Sequence, residues 1–461
     1  MNPISQLNIP TSNLPRIVII GAGFGGINIV KKLNFSKTQV VLINKTNYHT
    51  FQPLLYQVAT AGLEPDSIAY SVRSIFKKEP NFYFRITEVK HIYPDKKSIL
   101  TDLGELSYDY LVIATGSQTN FYGNSNIQKY AMPMKTVPEA LDMRSLIIQN
   151  LEAAILTNNL EERNSLMNFV IVGGGPTGVE LAGAFAELKS HILPTDYPDL
   201  DIRKMNVHLI QADSRLLVGM SEKSSNKARE YLEKMGVSIW FNTFVKDYDG
   251  VNVVTNTHNF QTYTLIWTAG VKGSLIEGLS EGSIQGGRYL VDEYNQVKGY
   301  KDIFAIGDIA CMASEKQPKG HPMVAQPAIQ QGKLLAKNLQ RIFQNKPLIP
   351  FSYFDKGSMA TVGRNKAVVE LKGMRFSGWF AWILWITVHL AFLVGFRNKM
   401  VTLSNWIVQY FQYNKGVRLI IRPFKTAYTL EEEKRKKIIV LINLMKRVNK
   451  TIIKENLRER K

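Results

Sequence analysis

Two glycine triplets have the type and spacing to do chemistry. They are Gly21, Gly23 and Gly26 in RIVIIGAGFGG, and Gly173, Gly175 and Gly178 in NFVIVGGGPTG. In a G-x-G-x-x-G turn the first glycine allows a tight bend. The second lets the backbone approach a pyrophosphate, and the third lets a helix pack closely on a strand. The free N–H groups at the helix start then face the negative charge. One triplet is weak evidence. Two in one chain imply two bound dinucleotides.

Each triplet needs a strand before it and a helix after it. Ile17 to Ile20 and Val170 to Val172 read as buried strands, while INIVKKL and VELAGAFAEL read as helices, with Pro176 in a first helical turn. Three further apolar runs end in small residues: LVIATGS (Leu111 to Ser117), LIWTAGV (Leu265 to Val271) and KDIFAIGDIA (Lys301 to Ala310). Asp308 comes directly after a glycine and is placed to accept bonds from sugar-like hydroxyls. The acid expected at the end of the second strand of such a fold is an amide in both halves, Asn44 in VVLINK and Gln211 in VHLIQADSRLL. An amide still accepts a ribose hydroxyl bond but repels a 2′-phosphate less than a carboxylate would. NADH is the expected nucleotide, with NADPH open. Residues 47–76 are aromatic and Gln-rich without strand alternation, which suits an excursion over a cofactor or a plain surface loop. Gln326 and Gln330 lie four apart on an expected helix. They could bind a carbonyl compound or face solvent.

The 461 residues suffice for two or three domains, and 45% apolar content suits a globular chain rather than a polytopic membrane protein. The single cysteine, Cys311, excludes an intramolecular disulfide and a dithiol mechanism. The seven histidines show no metal-ligand spacing, so no metal is expected. The start, MNPISQLNIPTSNLP, reads as neither a secretory signal nor a transit peptide. Net charge is +19, and residues from Phe351 onward hold 22 Lys/Arg against 7 Asp/Glu, a footprint of an anionic partner.

Gly378 to Phe396 is nineteen residues without charge, with Trp379, Trp382 and Trp385 at one end and Arg397 and Lys399 beyond the other. In LSNWIVQYF, Trp406, Ile407, Tyr410 and Phe411 are expected on one helical side. The tail from Glu433 to Lys461 alternates basic clusters with IIVLINLM and TII. Helices of this kind lie in the membrane interface with Lys/Arg among anionic headgroups. A true span at Gly378 to Phe396 and a buried soluble helix are the alternatives. Nucleic acid is not expected, because the aromatics sit in unbroken apolar runs rather than among the basic residues. His389 reads as a core histidine without a catalytic role.

The order of these motifs resembles the two-dinucleotide-binding flavoproteins, the pyridine nucleotide-disulfide reductase superfamily. It is most similar to their thiol-free branch, the type II NADH:quinone oxidoreductases. The resemblance rests on NYHTFQPLLYQVAT, GGGPTGVELAG, TAGV, FAIGD, AQPAIQQG and AWILWITVHLAFLVGFRNK. It implies FAD in the first fold and NADH in the second. Carried over by position, Gly21, Gly23 and Gly26 with Asn44 and Lys45 would hold the ADP part of FAD. Thr115 and Gly116 would lie along the cofactor, and Asp308 on its ribityl chain. Gly173, Gly175, Gly178, Gln211 and Gly270 would hold NADH. Glu180 would sit beside nicotinamide and flavin, and Gln326 with Gln330 would line a quinone pocket, Gln326 also touching the cofactor. Asn44 and Gln211 depart from the family's usual acids.

The expected architecture is therefore α/β: two Rossmann-type dinucleotide-binding domains plus a C-terminal membrane-docking helical region. The FAD-binding domain is split over 1–130 and 285–350, the NADH-binding domain covers 131–284, and the membrane-associated region covers 351–461. The expected activity is two-electron transfer from NADH through FAD to a membrane quinone, without proton pumping, at the entry of a respiratory chain. The expected location is peripheral, on the cytoplasmic face of a bacterial inner membrane, with a homodimer left open. A soluble flavin reductase serving oxygen or a small redox protein, and a non-catalytic NADH-sensing flavoprotein, are the rival readings.

Overall fold

The computed structural model describes residues 7–315, 317–412 and 418–438. The stretch of the basic tail beyond residue 438 lies outside them.

Two five-stranded parallel sheets carry the molecule. The first runs in the order Ile303–Ala305, Tyr110–Ile113, Arg16–Ile20, Gln39–Asn44, Phe82–Ile86. The second runs Met132–Pro133, Thr264–Trp267, Asn168–Val172, Asn206–Ile210, Ser238–Trp240. The strand before each glycine triplet is thus the middle strand of its sheet, and it is buried on both faces, as continuous apolar runs in parallel sheets are. Even the register repeats. Ile20 pairs with Ile43 and Ile113, and Val172 pairs with Ile210 and Trp267. Each half also carries a three-stranded antiparallel meander, Val89–Tyr93 to Gly104–Ser107 in the first and Val245–Tyr248 to Asn259–Gln261 in the second.

Helices cover these sheets and carry the polar side chains of the site. Helix α1 (Phe24–Val30) starts after the first triplet, and α2 (Val137–Leu156) starts at a capping box of Thr136 and Glu139. Helix α3 (Pro176–Glu187) starts after the second triplet, with proline in its first turn. It runs on through a π-helical turn, Leu188–Ile192, into Leu193–Asp196. Helix α4 (Ala325–Ile342) packs along α1. A three-stranded antiparallel sheet, Ser358–Thr361, Ala367–Leu371 and Met374–Ser377, leads into α5 (Trp379–Phe392) and then α6 (Phe396–Gln412).

The uncharged run of nineteen residues is not one helix. Leu393 is extended and Gly395 takes a φ of +87°, where a Cβ would collide with the Tyr70 ring, so the chain turns before Phe396. The fourteen residues of α5 rise ~21 Å, short of the ~30 Å hydrocarbon core. No helix among the described residues is long and apolar enough to cross a membrane. Nor do the four aromatic and aliphatic residues of α6 share a side. Trp406 bonds Gln57 and Tyr410 stacks on Trp382, while Ile407 and Phe411 face outward. A 3.6-residue repeat sets residues 406 and 410 on one stripe and 407 and 411 on the next.

Residues 47–76 form short helices and a two-stranded ribbon, not a surface loop. Phe51, Leu54, Leu55, Tyr56, Val58 and Ala59 are buried in the same core as α2 and α3. Asn398 of α6 donates to the Asp66 and Ala69 carbonyls, tying this excursion to the C-terminal helices.

Candidate functional site

The three glycines of each triplet have three different surroundings. At Gly21 φ is +109°, and a Cβ would strike the Ala114 carbonyl. At Gly26 a Cβ would strike the Gly21 carbonyl oxygen. At Gly173 φ is +112° with the Ala269 backbone 2.9 Å from where a Cβ would be, and at Gly178 the obstacle is the Gly173 carbonyl oxygen. The middle glycines, Gly23 and Gly175, have nothing within 4 Å on that side. Both turns therefore present open backbone at the middle glycine, ahead of a helix with no side-chain cap.

Each turn is held by the amide at the end of the neighbouring strand. The Ala22 N–H donates to Asn44 Oδ1 at 2.9 Å, and the Gly174 N–H donates to Gln211 Oε1 at 2.7 Å. The other ends differ. Asn44 Nδ2 donates to Thr46, whereas Gln211 Nε2 donates to the carboxylate of Asp213 at 2.8 Å. Gln211 is buried and both ends of its amide are engaged; Asp213 is exposed. Sequence reasoning expects an acid at the strand end and misses the one two residues on. Lys45 points outward and pairs with Glu88 at 2.7 Å. Buried His49 braces the first turn, its Nδ1 2.8 Å from the Ala22 carbonyl, and burial pushes its pKa down to about 4.

Where the first sheet's strands end, Thr115 donates to the Ser274 carbonyl at 2.8 Å, and Gly116 has a φ of +69°. Ser117 donates to Asp308 Oδ2 at 2.5 Å, and Lys135 Nζ lies 3.9 Å from the same carboxylate. Burial lowers the Lys135 pKa, partly offset by Asp308. Lys135 is invisible in the sequence because only the fold brings it to Asp308. The Gly307 N–H donates to the buried Gln331, again a partner that no motif indicates. Gly270 (φ +92°) is covered by the Tyr122 hydroxyl.

Glu180 lies one turn into α3 and is only 7% exposed. Burial raises its pKa to about 8, against a weaker opposing pull from the Thr361 N–H, 3.4 Å from Oε1, and from the nearby Trp385 indole. It lines a cavity of about 100 Å³ with Tyr56, Gln57, Trp382, Trp385 and Trp406. Gln326 and Gln330 do not line that cavity. Each amide makes two bonds to the backbone of residues 354–357: Gln326 to the Gly357 carbonyl and Lys356 N–H, Gln330 to the Phe354 carbonyl and N–H. His389 is buried and stacked on Trp385 with its Nδ1 2.8 Å from the Trp385 carbonyl, and burial lowers its pKa to about 4.

Known proteins resemble this chain in sequence and fold. The pattern of the pyridine nucleotide-disulphide oxidoreductase family matches residues 15–332, and the NDH2 C-terminal domain matches 356–412. Type II NADH:quinone oxidoreductase Ndh of Mycobacterium tuberculosis is 36% identical over 427 residues, covering 88% of this chain and 91% of that one. The chain belongs to the type II NADH:quinone oxidoreductases of the pyridine nucleotide-disulphide oxidoreductase family. The enzyme named type II NADH:quinone oxidoreductase in Staphylococcus aureus is 29% identical and covers 79% of this chain and 91% of its own. The fold also matches the structure of NDH2 from Plasmodium falciparum in complex with NADH, with a TM-score of 0.82, 22% identity, and coverage of 88% and 100%.

Proposed function

We propose that this family member oxidises NADH and reduces a membrane quinone: NADH, one proton and quinone give NAD⁺ and quinol. The duplicated cradle carries this reading, because two open glycine turns in one chain accommodate two dinucleotides. FAD fits the first cradle, where open backbone at Gly23 would take the pyrophosphate and Asp308, with Ser117 and Lys135 beside it, the flavin's hydroxylated chain. NADH fits the second, at Gly175. When bound, FAD supplies the chemistry of accepting hydride and passing both electrons on.

The chain's own residues then position and protonate. Gln211 fixes the second turn and holds Asp213 outward, so that Asp213 is the carboxylate that bonds the adenosine ribose hydroxyls and repels a 2′-phosphate. Glu180 is a neutral acid at pH 7. The protonated carboxyl can serve the developing quinol. Gln326 and Gln330 act by holding the strap at 354–357. Cys311 is buried and takes no part.

The enzyme docks on a membrane through α5 and α6. Phe396 and Phe411 are 80% and 77% exposed, and Trp379, Phe380, Ile407 and Leu419 are also bare, next to Arg397 and Lys399. This surface suits an interface with anionic headgroups. We place it on the cytoplasmic face of a bacterial inner membrane, where NADH is available. The test is anaerobic. Purified protein should contain flavin, NADH should bleach it, and a quinone should restore the colour; bleaching without restoration by any quinone would remove the acceptor assignment.

A further inference from the structure

A second cavity, of about 360 Å³, lies between α2, residues 59–61 and the π-helical turn that extends α3. Ile147, Leu151, Leu188 and Leu193 line it with apolar surface. Arg144, on the same face of α2 as Ile147 and Leu151, also lines it and is 3% exposed. Its Nε and Nη1 are buried without a hydrogen-bond partner among the described residues. The other ionic groups at the cavity are already engaged. Asp196 pairs with Arg418 at 2.6 Å, and the Tyr197 hydroxyl donates to Glu152 at 2.9 Å. Glu64 acts on Arg144 electrostatically without forming an ion pair.

A guanidinium does not shed its proton to escape burial, and a buried cation without a partner is unfavourable. The favourable arrangement places an oxyanion on it, since guanidinium donors match carboxylate and phosphate oxygens. A cavity of about 360 Å³ has room for a small organic ligand. We propose that this cavity binds a small amphiphilic oxyanion, a carboxylate or phosphate, whose head pairs with Arg144 and whose short apolar body lies on Ile147, Leu151 and Leu193. The π-helical turn supports the assignment: its Leu188 lines the cavity, and such turns are frequent at functional sites. The same chemistry could arrive as a free acid or as the headgroup of an anionic lipid, because Arg418 at the cavity is succeeded by exposed Leu419 and Ile421. The site is separate from both glycine cradles and stands whether or not the quinone assignment holds.

The experiment is thermal unfolding of the full-length flavin-loaded protein with octanoate, with inorganic phosphate, and with phosphatidylglycerol or phosphatidylcholine vesicles, at constant ionic strength. Octanoate at a hundredfold excess over its Kd should raise Tm by a few degrees. Arg144→Met should abolish that rise while keeping ligand-free Tm at or above wild type, since it removes the unpaired charge. Turnover with a water-soluble acceptor should be unchanged. Ile148→Trp, which fills the cavity and leaves Arg144 in place, should also abolish the rise and provides the test if Arg144→Met fails to fold. An Arg144-dependent rise with phosphatidylglycerol and not phosphatidylcholine assigns the headgroup; a rise with octanoate or phosphate alone assigns the free anion. If no oxyanion raises wild-type Tm beyond that of both variants, the inference is overturned.

Discussion

The two halves of the molecule are built alike up to the turn and diverge just after it. In both, the glycine N–H bonds the neighbouring strand at 2.8 Å, from Gly21 to the Ile43 carbonyl and from Gly173 to the Ile210 carbonyl. In both, a strand-end amide braces the turn. The longer glutamine then reaches a carboxylate, Asp213, where the shorter asparagine reaches Thr46. The first half continues into the cation Lys45, paired away from the turn with Glu88. The shared residues thus make the same turn twice, and under the proposed function the residues one or two places further set which nucleotide occupies it.

The largest effects are expected at the third glycines. A Cβ at Gly26 or Gly178 meets a backbone carbonyl that cannot move aside. Gly26→Ala should yield colourless protein, measured by flavin absorbance. Gly178→Ala should stay yellow yet lose NADH-dependent bleaching by more than about a hundredfold, more than about 2.7 kcal/mol of nucleotide affinity. Flavin loss from Gly178→Ala with retention in Gly26→Ala would reverse the assignment of the two cradles.

Asp213→Asn tests the divergence directly. The ratio of kcat/KM for NADH over NADPH should fall about tenfold, about 1.4 kcal/mol. Gln211→Glu should move that ratio less, because a new carboxylate there would confront Asp213 and lose the bond from Gln211 Nε2. Equal effects of the two substitutions would place the ribose at Gln211 after all.

Glu180 has no counterpart in the first half, and its titration gives a third test. Its folded pKa, about 8, lies above the ordinary 4.5. The folded protein therefore binds the extra proton between those values, and this group makes stability fall as pH rises through that window and level off above it. Glu180→Gln should remove the slope in denaturant unfolding and flatten the loss of quinone reduction above about pH 8. An unchanged pH profile in the variant would assign the titration elsewhere.

The smallest effect concerns the charge of the C-terminal tail. A chain ending before Leu430 loses eleven Lys/Arg and five Asp/Glu. Each basic group near an anionic surface contributes ~1 kcal/mol at most, screened by salt. Vesicle binding and long-chain quinone reduction should weaken, while flavin bleaching by NADH should not change. Slower bleaching in sedimentation-matched samples would show that the tail belongs to the catalytic body.

Legibility in the sequence tracks the range of the interactions. The glycine triplets, their strands and helices, and Pro176 at a helix start are readable because they depend on neighbours in sequence. Asp213, Lys135 and Gln331 are not, because each acquires meaning from a partner that only the fold supplies. Gln326 and Gln330 stand out by spacing, but their bonds to residues 354–357 depend on a strap whose course the sequence does not announce. The apolar run at 378–396 misleads for a related reason: hydropathy counts charges, whereas Gly395 and its contact with Tyr70 decide where the helix stops.

The C-terminal sheet also has an electrical consequence. Glu180 belongs to α3, yet the groups packed against it, Thr361 and Trp385, come from the C-terminal sheet and α5. Close packing makes this contact tight, since at Gly183 of α3 the Gly363 N–H approaches so nearly that a Cβ would lie 2.8 Å from it. The proton affinity of the acid is therefore a property of the joint between α3 and the C-terminal sheet and helix. Any loosening of that joint would admit high-dielectric solvent and lower the affinity.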